Sequence, residues 1–269
     1  MIRSSFKEYI NYEDDCYVTK KSQKKRFPTP FFYFKLINIV LRCSIKAQKK
    51  EFTEEIFLLE SYNVFKLLES VGVEFEITGI SHVKYCNEPV VFVGNHMSTL
   101  ETFILPLLLI PYTPISFVVK ESLVEYPVFG HIMKAVEPIT VTRKNPREDL
   151  KKVLEEGTKK ISEGRSIIVF PQTTRKIYFS PAEFNTIGVK LAKRANVPII
   201  PIALKTDAWQ NGKIIKDFGP IDNSKKVFFS FGEPIRIKEK GDVEHQQIID
   251  FISKKLEVWN KTGSENEKP

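Results

Sequence analysis

Cysteine is scarce in this 269-residue chain: there are three, Cys16, Cys43 and Cys86. They lie far apart and form no CxxC pair, which argues against a disulfide scaffold or a cysteine-bound zinc and fits a reducing compartment. Histidine is scarce too. His82, His96, His131 and His245 include no HExxH spacing, so no histidine-bound metal is expected. GxSxG, GxGxxG and GxxxxGK[ST] are all missing, which removes the usual support for a hydrolase elbow, a dinucleotide fold or a P-loop. No apolar run is both long and unbroken enough to span a bilayer. With 42% hydrophobic and 28% charged residues, the chain is neither disordered nor polytopic.

Acidic residues are also missing from one long stretch. Residues 16–50 contain ten Lys and Arg and no Asp or Glu, whereas residues 51–269 hold 29 of each sign. The formal net charge of +8 is therefore a local property. Inside the stretch lies the aromatic segment Phe27–Ile45, interrupted by Pro28, Pro30, Lys35, Asn38 and Arg42. A cationic, Phe-rich segment of this kind suits the headgroup region of an anionic membrane surface. A basic linker beside an ordinary packed helix, or a single-strand nucleic-acid arm, are the competing readings. No nucleic-acid partner is expected from the rest of the chain. Met1–Asp15 is polar and lacks a signal-peptide core, so the expected location is the cytoplasmic face of a membrane, peripheral or monotopic.

Periodicity places a second amphipathic helix over Glu54–Val71, with Gly72 as its stop. Strands are expected at Val73–Thr78, Pro89–Gly94, Ile115–Val119, Glu137–Val141, Ser166–Phe170, Pro198–Leu204 and Val227–Phe231. Helices are expected from about Ser98 and at Arg147–Ser162, Phe184–Ala195 and Val243–Trp259. The uncharged run Thr102–Val119 reads as core broken by Pro106, Pro111 and Pro114, or as an apolar wall for an acyl chain. The fold class is α/β: a mixed, largely parallel sheet flanked by helices, with an N-terminal amphipathic membrane-binding segment. The expected organisation is residues 1–72 for membrane association, 73–262 as the catalytic domain, and 263–269 as a flexible tail.

His96 stands where the strand ending at Gly94 gives way to a helix, the position at which α/β proteins place ligands. Glu101, five residues on, falls in the first helical turn. If the chain turns between them, the carboxylate orients one imidazole nitrogen and leaves the other as a base. A plain capping box between Ser98 and Glu101 accounts for the same residues without chemistry.

Asn95-His-Met-Ser-Thr-Leu-Glu101 resembles the NHxSxxD motif of the glycerolipid acyltransferases, and four further blocks follow in order. Lys120-Glu-Ser-Leu123 with Ile139-Thr-Val-Thr-Arg143 resembles the second block. Phe170-Pro-Gln-Thr-Thr-Arg175 resembles FPEGTR. Val197–Ala203 and Phe231-Gly-Glu-Pro-Ile235 resemble the last two.

The resemblance spans about Val73 to Ile237. It implies an O-acyltransferase that moves an acyl group from acyl-CoA or acyl-carrier protein, as co-substrate, to the hydroxyl of a lysophospholipid, foremost 1-acyl-glycerol-3-phosphate. No cofactor and no metal are implied. His96 would be the general base and Glu101 its orienting carboxylate. Arg143 and Arg175, with Lys120, would hold the acceptor phosphate beside the loop of Gln172, Thr173 and Thr174, whose backbone N–H groups are candidates for the oxyanion.

Two departures stand out. Glu101 replaces the family's Asp, and Gln172-Thr173 replaces Glu-Gly, losing a charge and the freedom of glycine. The second bears on the acceptor, so another lysophospholipid, a lyso-aminolipid or a lipid A type acceptor stays open. A lipid-binding protein without turnover is the alternative from another class.

Overall fold

The computed structural model describes residues 3, 6–20, 23–172, 174–213 and 215–265, with side chains up to residue 261. Its elements run, in chain order, β1 (Cys16–Val18), α1 (Pro28–Gln48), α2 (Glu54–Ser70), β2 (Phe75–Thr78), α3 (Ser81–Lys84), β3 (Val91–Gly94), α4 (Leu100–Leu109), β4 (Ile115–Lys120), α5 (Phe129–Ala135), β5 (Ile139–Val141), α6 (Pro146–Ser162), β6 (Ser166–Val169), α7 (Ile187–Ala195), β7 (Ile199–Lys205), β8 (Val227–Phe231) and α8 (Asp242–Glu265).

Eight strands form one mixed sheet in the order β1-β2-β8-β7-β3-β6-β4-β5. The central run β7-β3-β6-β4-β5 is parallel throughout, and β1/β2 and β7/β8 are the antiparallel pairs. Both faces are covered, and the side chains divide by pleat. Phe92, Ile168, Ile200, Ile202 and Leu204 point into the core under α1, α2 and α4. Val91, Val93, Ile167, Val169, Ile199 and Ala203 point into the core under α6, α7 and α8. Strands buried on both faces lose the polar half of the period-two alternation, so they read as continuous apolar runs.

Local signals explain the helix ends. Thr53 Oγ1 accepts the Ile56 N–H at 3.4 Å, and Glu54 and Glu55 sit in the first turn of α2, where their charge suits the helix dipole. Gly72 follows that helix with φ 96°. A Cβ there would also approach Lys24 Cα to 2.7 Å, so glycine is required twice over. Asn145 caps α6 ahead of Pro146, and Pro28 opens α1.

The structure amends the expectation in four places. Pro106 does not interrupt the uncharged run: it lies within α4, whose eight buried residues hold the helix together through packing. β1, at the start of the basic stretch, adds to the sheet edge by pairing Cys16 with Thr78. Ile10, Phe32 and Leu36 share one core with β2 and β8, so α1 and the chain around Ile10 pack against the strands. α8 runs to Glu265, past the start of the expected tail, and residues 266–269 lie outside the described residues.

Candidate active site

The five parallel strands β7, β3, β6, β4 and β5 all end at one edge of the sheet, and the singled-out residues leave from those ends. His96 follows β3, Lys120 closes β4, Arg143 follows β5, Gln172 to Arg175 follow β6, and the loop to β8 follows β7. This is the crevice outside the carboxyl ends of the strands, at the point where the chain reverses its order across the sheet.

Asn95 builds the floor. Its Nδ2 donates to Leu204 O at 2.7 Å and its Oδ1 accepts from Leu204 N at 2.9 Å, extending the β3–β7 ladder with a side chain. Asn95→Ala removes both bonds in a fully buried setting. It is expected to cost about 2–4 kcal/mol, from two unsatisfied backbone groups, in urea unfolding.

His96 then turns into the crevice. Its ring stacks on Phe170, with centroids 4.5 Å apart and planes 9° apart. Its backbone is held on both sides: the N–H donates to Gln172 Oε1 at 2.8 Å, and the C=O accepts from Lys176 N at 3.0 Å. Nδ1 faces Glu101 Oε1 at 3.6 Å and has no hydrogen-bond partner, so it meets the carboxylate as a near neighbour. By contrast His82 and His245 each bond a backbone oxygen at 3.0 Å, and His131 is exposed.

Glu101 is fully buried. Its Oε1 accepts from Met97 N at 2.6 Å and Ser98 N at 3.0 Å, and Oε2 accepts from Ser98 N at 3.0 Å. Burial pushes its carboxyl upward, but His96 and the two backbone donors outweigh that and hold it below its ordinary value. The capping box and the His–carboxylate pair are thus the same group: one carboxylate folds the turn and faces the imidazole. Ser98 Oγ is engaged by Leu100 N at 3.1 Å and donates to Thr206 O at 2.9 Å, so this hydroxyl is committed to structure.

The cations are arranged unequally. Arg175 donates through Nη1 to Thr99 Oγ1 and pairs through Nη2 with Asp217 Oδ1 at 2.7 Å. Arg143 takes φ 62°, held there by Asp149, whose carboxylate accepts from Thr142 N at 2.8 Å and Arg143 N at 2.7 Å. Desolvation, and then the like charge of Arg175, lower the Arg143 guanidinium from its usual value against the opposing charge of Asp149. Lys120 is exposed.

Gln172 is 3% exposed and serves the His96 backbone, with its Nε2 buried and unpaired. Thr174 Oγ1 accepts from Lys216 Nζ at 3.4 Å. Thr173, expected in this loop, lies outside the described residues. Sequence reasoning passed over Thr99, Asp217 and Asn185, whose Nδ2 donates to Pro171 O and ties down the loop after β6. Their partners are distant in sequence, so spacing carried no signal.

Residues 74–205 match the family model described as Acyltransferase. A 1-acyl-sn-glycerol-3-phosphate acyltransferase of Pseudomonas aeruginosa is 31% identical over 132 residues, 49% of this chain and 49% of that protein. A probable 1-acyl-sn-glycerol-3-phosphate acyltransferase of Mycoplasma pneumoniae is 28% identical over 244 residues, 84% of this chain and 87% of the other. The crystal structure of the 1-acyl-sn-glycerophosphate (LPA) acyltransferase PlsC from Thermotoga maritima superposes with a TM-score of 0.59 at 19% identity, covering 90% of this chain and 95% of that one, so the fold is shared. The chain spans about half the length of its Pseudomonas relative. Residues 74–205 thus match an acyltransferase domain, and the chain is similar to proteins named 1-acyl-sn-glycerol-3-phosphate acyltransferases.

Proposed function

We propose that the protein transfers a fatty acyl group from acyl-CoA or acyl-carrier protein to the free hydroxyl of 1-acyl-glycerol-3-phosphate, giving phosphatidic acid at a membrane surface. The observation that carries this reading is the imidazole of His96 beside the fully buried, ionised Glu101, with its Nδ1 3.6 Å from Oε1. Glu101 keeps the Nδ1 side protonated and leaves Nε2 to take the acceptor's hydroxyl proton. The oxygen attacks the thioester carbonyl, and collapse of the tetrahedral species expels the thiolate, which takes the proton back from His96. Backbone N–H groups of the loop after Phe170 supply the oxyanion contacts. Because Ser98, the hydroxyl nearest in sequence to His96, is already committed, no acyl-enzyme forms.

Arg143 and Arg175 receive the acceptor's phosphate, with Lys120 adding charge at the rim. The apolar wall has a counterpart in a cavity of about 90 Å³ between α1, α2, α4 and α5, lined by Val40, Cys43, Phe57, Phe103, Phe129 and Met133. Its lining is mostly apolar, which suits an acyl chain.

For the membrane surface the support is α1. Phe32, Leu36 and Cys43 are buried, while Phe34, Ile37, Leu41 and Ile45 are exposed at intervals of three and four residues. Phe218 and Ile215, exposed on the β7–β8 loop, extend this apolar surface, since Tyr33 of α1 bonds Gly219 O at 2.6 Å. Among the described residues no helix is long and apolar enough to cross a membrane. The stripe and the basic stretch around it suit docking on anionic lipid.

The test is thiol release from acyl-CoA or acyl-carrier protein by the purified chain. Release is expected only when 1-acyl-glycerol-3-phosphate is present, and release that ignores the lysolipid contradicts the reading. Ile37→Glu with Leu41→Glu is expected to lower flotation with anionic liposomes at least tenfold while leaving the melting temperature unchanged. Undiminished flotation removes α1 from the interface.

A further inference from the structure

The seam between α1 and α2 is polar where packed helices normally turn apolar stripes to each other. Lys35, Asn38 and Arg42 recur at helical spacing along α1, and Asn63, Lys66 and Ser70 do the same along α2. Together they line an open groove of about 540 Å³ between the two helices. No Asp or Glu occurs anywhere in α1.

The charges of the groove are layered. Arg42 donates through Nε to Glu60 Oε1 at 2.8 Å and through Nη2 to Oε2 at 2.6 Å, and Lys66 Nζ pairs with Glu69 Oε2 at 2.5 Å. Both carboxylate side chains are buried, at 7% and 8% exposure, whereas those of Arg42 and Lys66 are 50% and 53% exposed. Asn63 Nδ2 also donates to Glu60 at 2.8 Å, and Tyr17 OH and Thr19 Oγ1 donate to Glu69 at 2.6 and 2.7 Å. The anions are thus buried and hydrogen-bonded, and the groove presents the cationic ends. Among the described residues Arg42 Nη1 makes no hydrogen bond and Lys35 no ion pair. With every charge counted alike, Lys35, Arg42 and Lys66 against Glu60 and Glu69 leave one positive charge. Lys25 adds another beside Lys35, since their Nζ atoms share the Phe31 ring, 3.2 and 4.8 Å from its centroid.

One residue along a helix is a rotation of about 100°. Phe34 and Leu41 of the exposed stripe therefore stand next to Lys35 and Arg42 of the groove wall. A lipid whose chains lie along the stripe has its headgroup at the groove. We propose that the groove between α1 and α2 is a binding site for the phosphodiester of an anionic membrane phospholipid, apart from the crevice at the strand ends. This rests on the reading of α1 as the membrane-docking helix. The guanidinium and the two ammonium groups meet the phosphate oxygens in charge-assisted hydrogen bonds. The buried carboxylates hold Arg42 and Lys66 in place beforehand, which lowers the cost of ordering them. A choline headgroup brings its own cation against these groups, so a singly negative lipid is favoured over a zwitterionic one. A nucleic-acid strand offers the same phosphate, but it has no chains for the stripe and meets no aromatic ring in the groove lining on which to stack a base.

The experiment measures vesicle affinity of the full chain by flotation at pH 8. Phosphatidylcholine vesicles carry either phosphatidylglycerol or cholesteryl hemisuccinate, a carboxylate lipid, at matched zeta potential. The parent is expected to favour the phosphatidylglycerol vesicles about fivefold, the scale of one basic contact at an anionic surface. Two variants should abolish that preference and bring the two affinities together. Ser70→Trp fills the groove without altering its charge, and Lys35→Gln with Lys66→Gln removes two of its cations. Ser70, Lys35 and Lys66 are exposed, so the melting temperatures should stay at the parental value. Equal affinity of the parent for both vesicles, or a preference that survives in both variants, reduces the groove to diffuse charge and overturns the inference. Equal affinity leaves α1 docking intact, whereas a parent that floats with neither vesicle removes the docking reading as well. A single-stranded oligonucleotide that binds the parent, but not Ser70→Trp, assigns the groove to nucleic acid and likewise overturns the lipid site.

Discussion

His96→Ala is expected to lower kcat by about 10²–10⁴-fold, the range supplied by a positioned general base, with the acceptor's KM little changed. The acceptor hydroxyl is a poor nucleophile until its proton has somewhere to go. Among the described residues, His96 is the imidazole at this edge of the sheet that faces a buried carboxylate. Folding should survive, because the imidazole nitrogen Nδ1 forms no hydrogen bond and the ring's main packing partner is Phe170. Loss of that stacking costs about 1 kcal/mol. The check is steady-state acyl transfer together with a thermal melt. A His96→Ala variant that melts normally and keeps more than a tenth of the parental kcat removes His96 from the chemistry.

Glu101→Gln tests the same pair from the other side and separates its two duties. Glutamine keeps an oxygen for the Met97 and Ser98 N–H groups, so the turn can still close. Its amide nitrogen, however, can donate to Nδ1, which forces the proton onto Nε2 and leaves no base facing the acceptor. A kcat loss of about a thousandfold is expected.

The pH dependence of stability carries a further signature. Because the folded carboxyl lies below its ordinary value, the folded state binds fewer protons than the unfolded one between the two pKa values. The resulting stabilisation is complete above the unfolded carboxylate pKa and is lost as pH falls through the folded one. Urea unfolding should therefore show parent and variant diverging most near neutrality and converging on acidification. A gap that stays constant from neutral to acidic pH rules out an ionised Glu101 as its source.

How much of this was legible beforehand differs by residue. Every expected strand from Val73 onward is present in the sheet, because a strand covered on both faces must be apolar along its length. His96 and Glu101 could be paired from five residues of spacing and a strand end. The capping box and the His–carboxylate pair looked like competing accounts in the sequence; in the structure one carboxylate accepts the Ser98 N–H and lies 3.6 Å from His96 Nδ1. β1 was not legible, since three residues carry no periodicity and take their strand form from the edge of β2. Pro106 was misread as a break, because tertiary burial of α4 overrides a local penalty.

By itself, then, the sequence determined the α/β class, the concentration of positive charge in residues 16–50 and the resemblance to the acyltransferases. These depend on composition and short-range order, which a linear chain displays directly. Only the tertiary structure decided that Gln172 serves the backbone of His96, that α1 keeps an apolar stripe exposed, and that Asp217, 42 residues beyond Arg175, neutralises it. The physical reason is that charge balance in a pocket depends on distances of a few ångströms. Those distances are set by which loops the sheet brings to one edge, and no spacing along the chain records them.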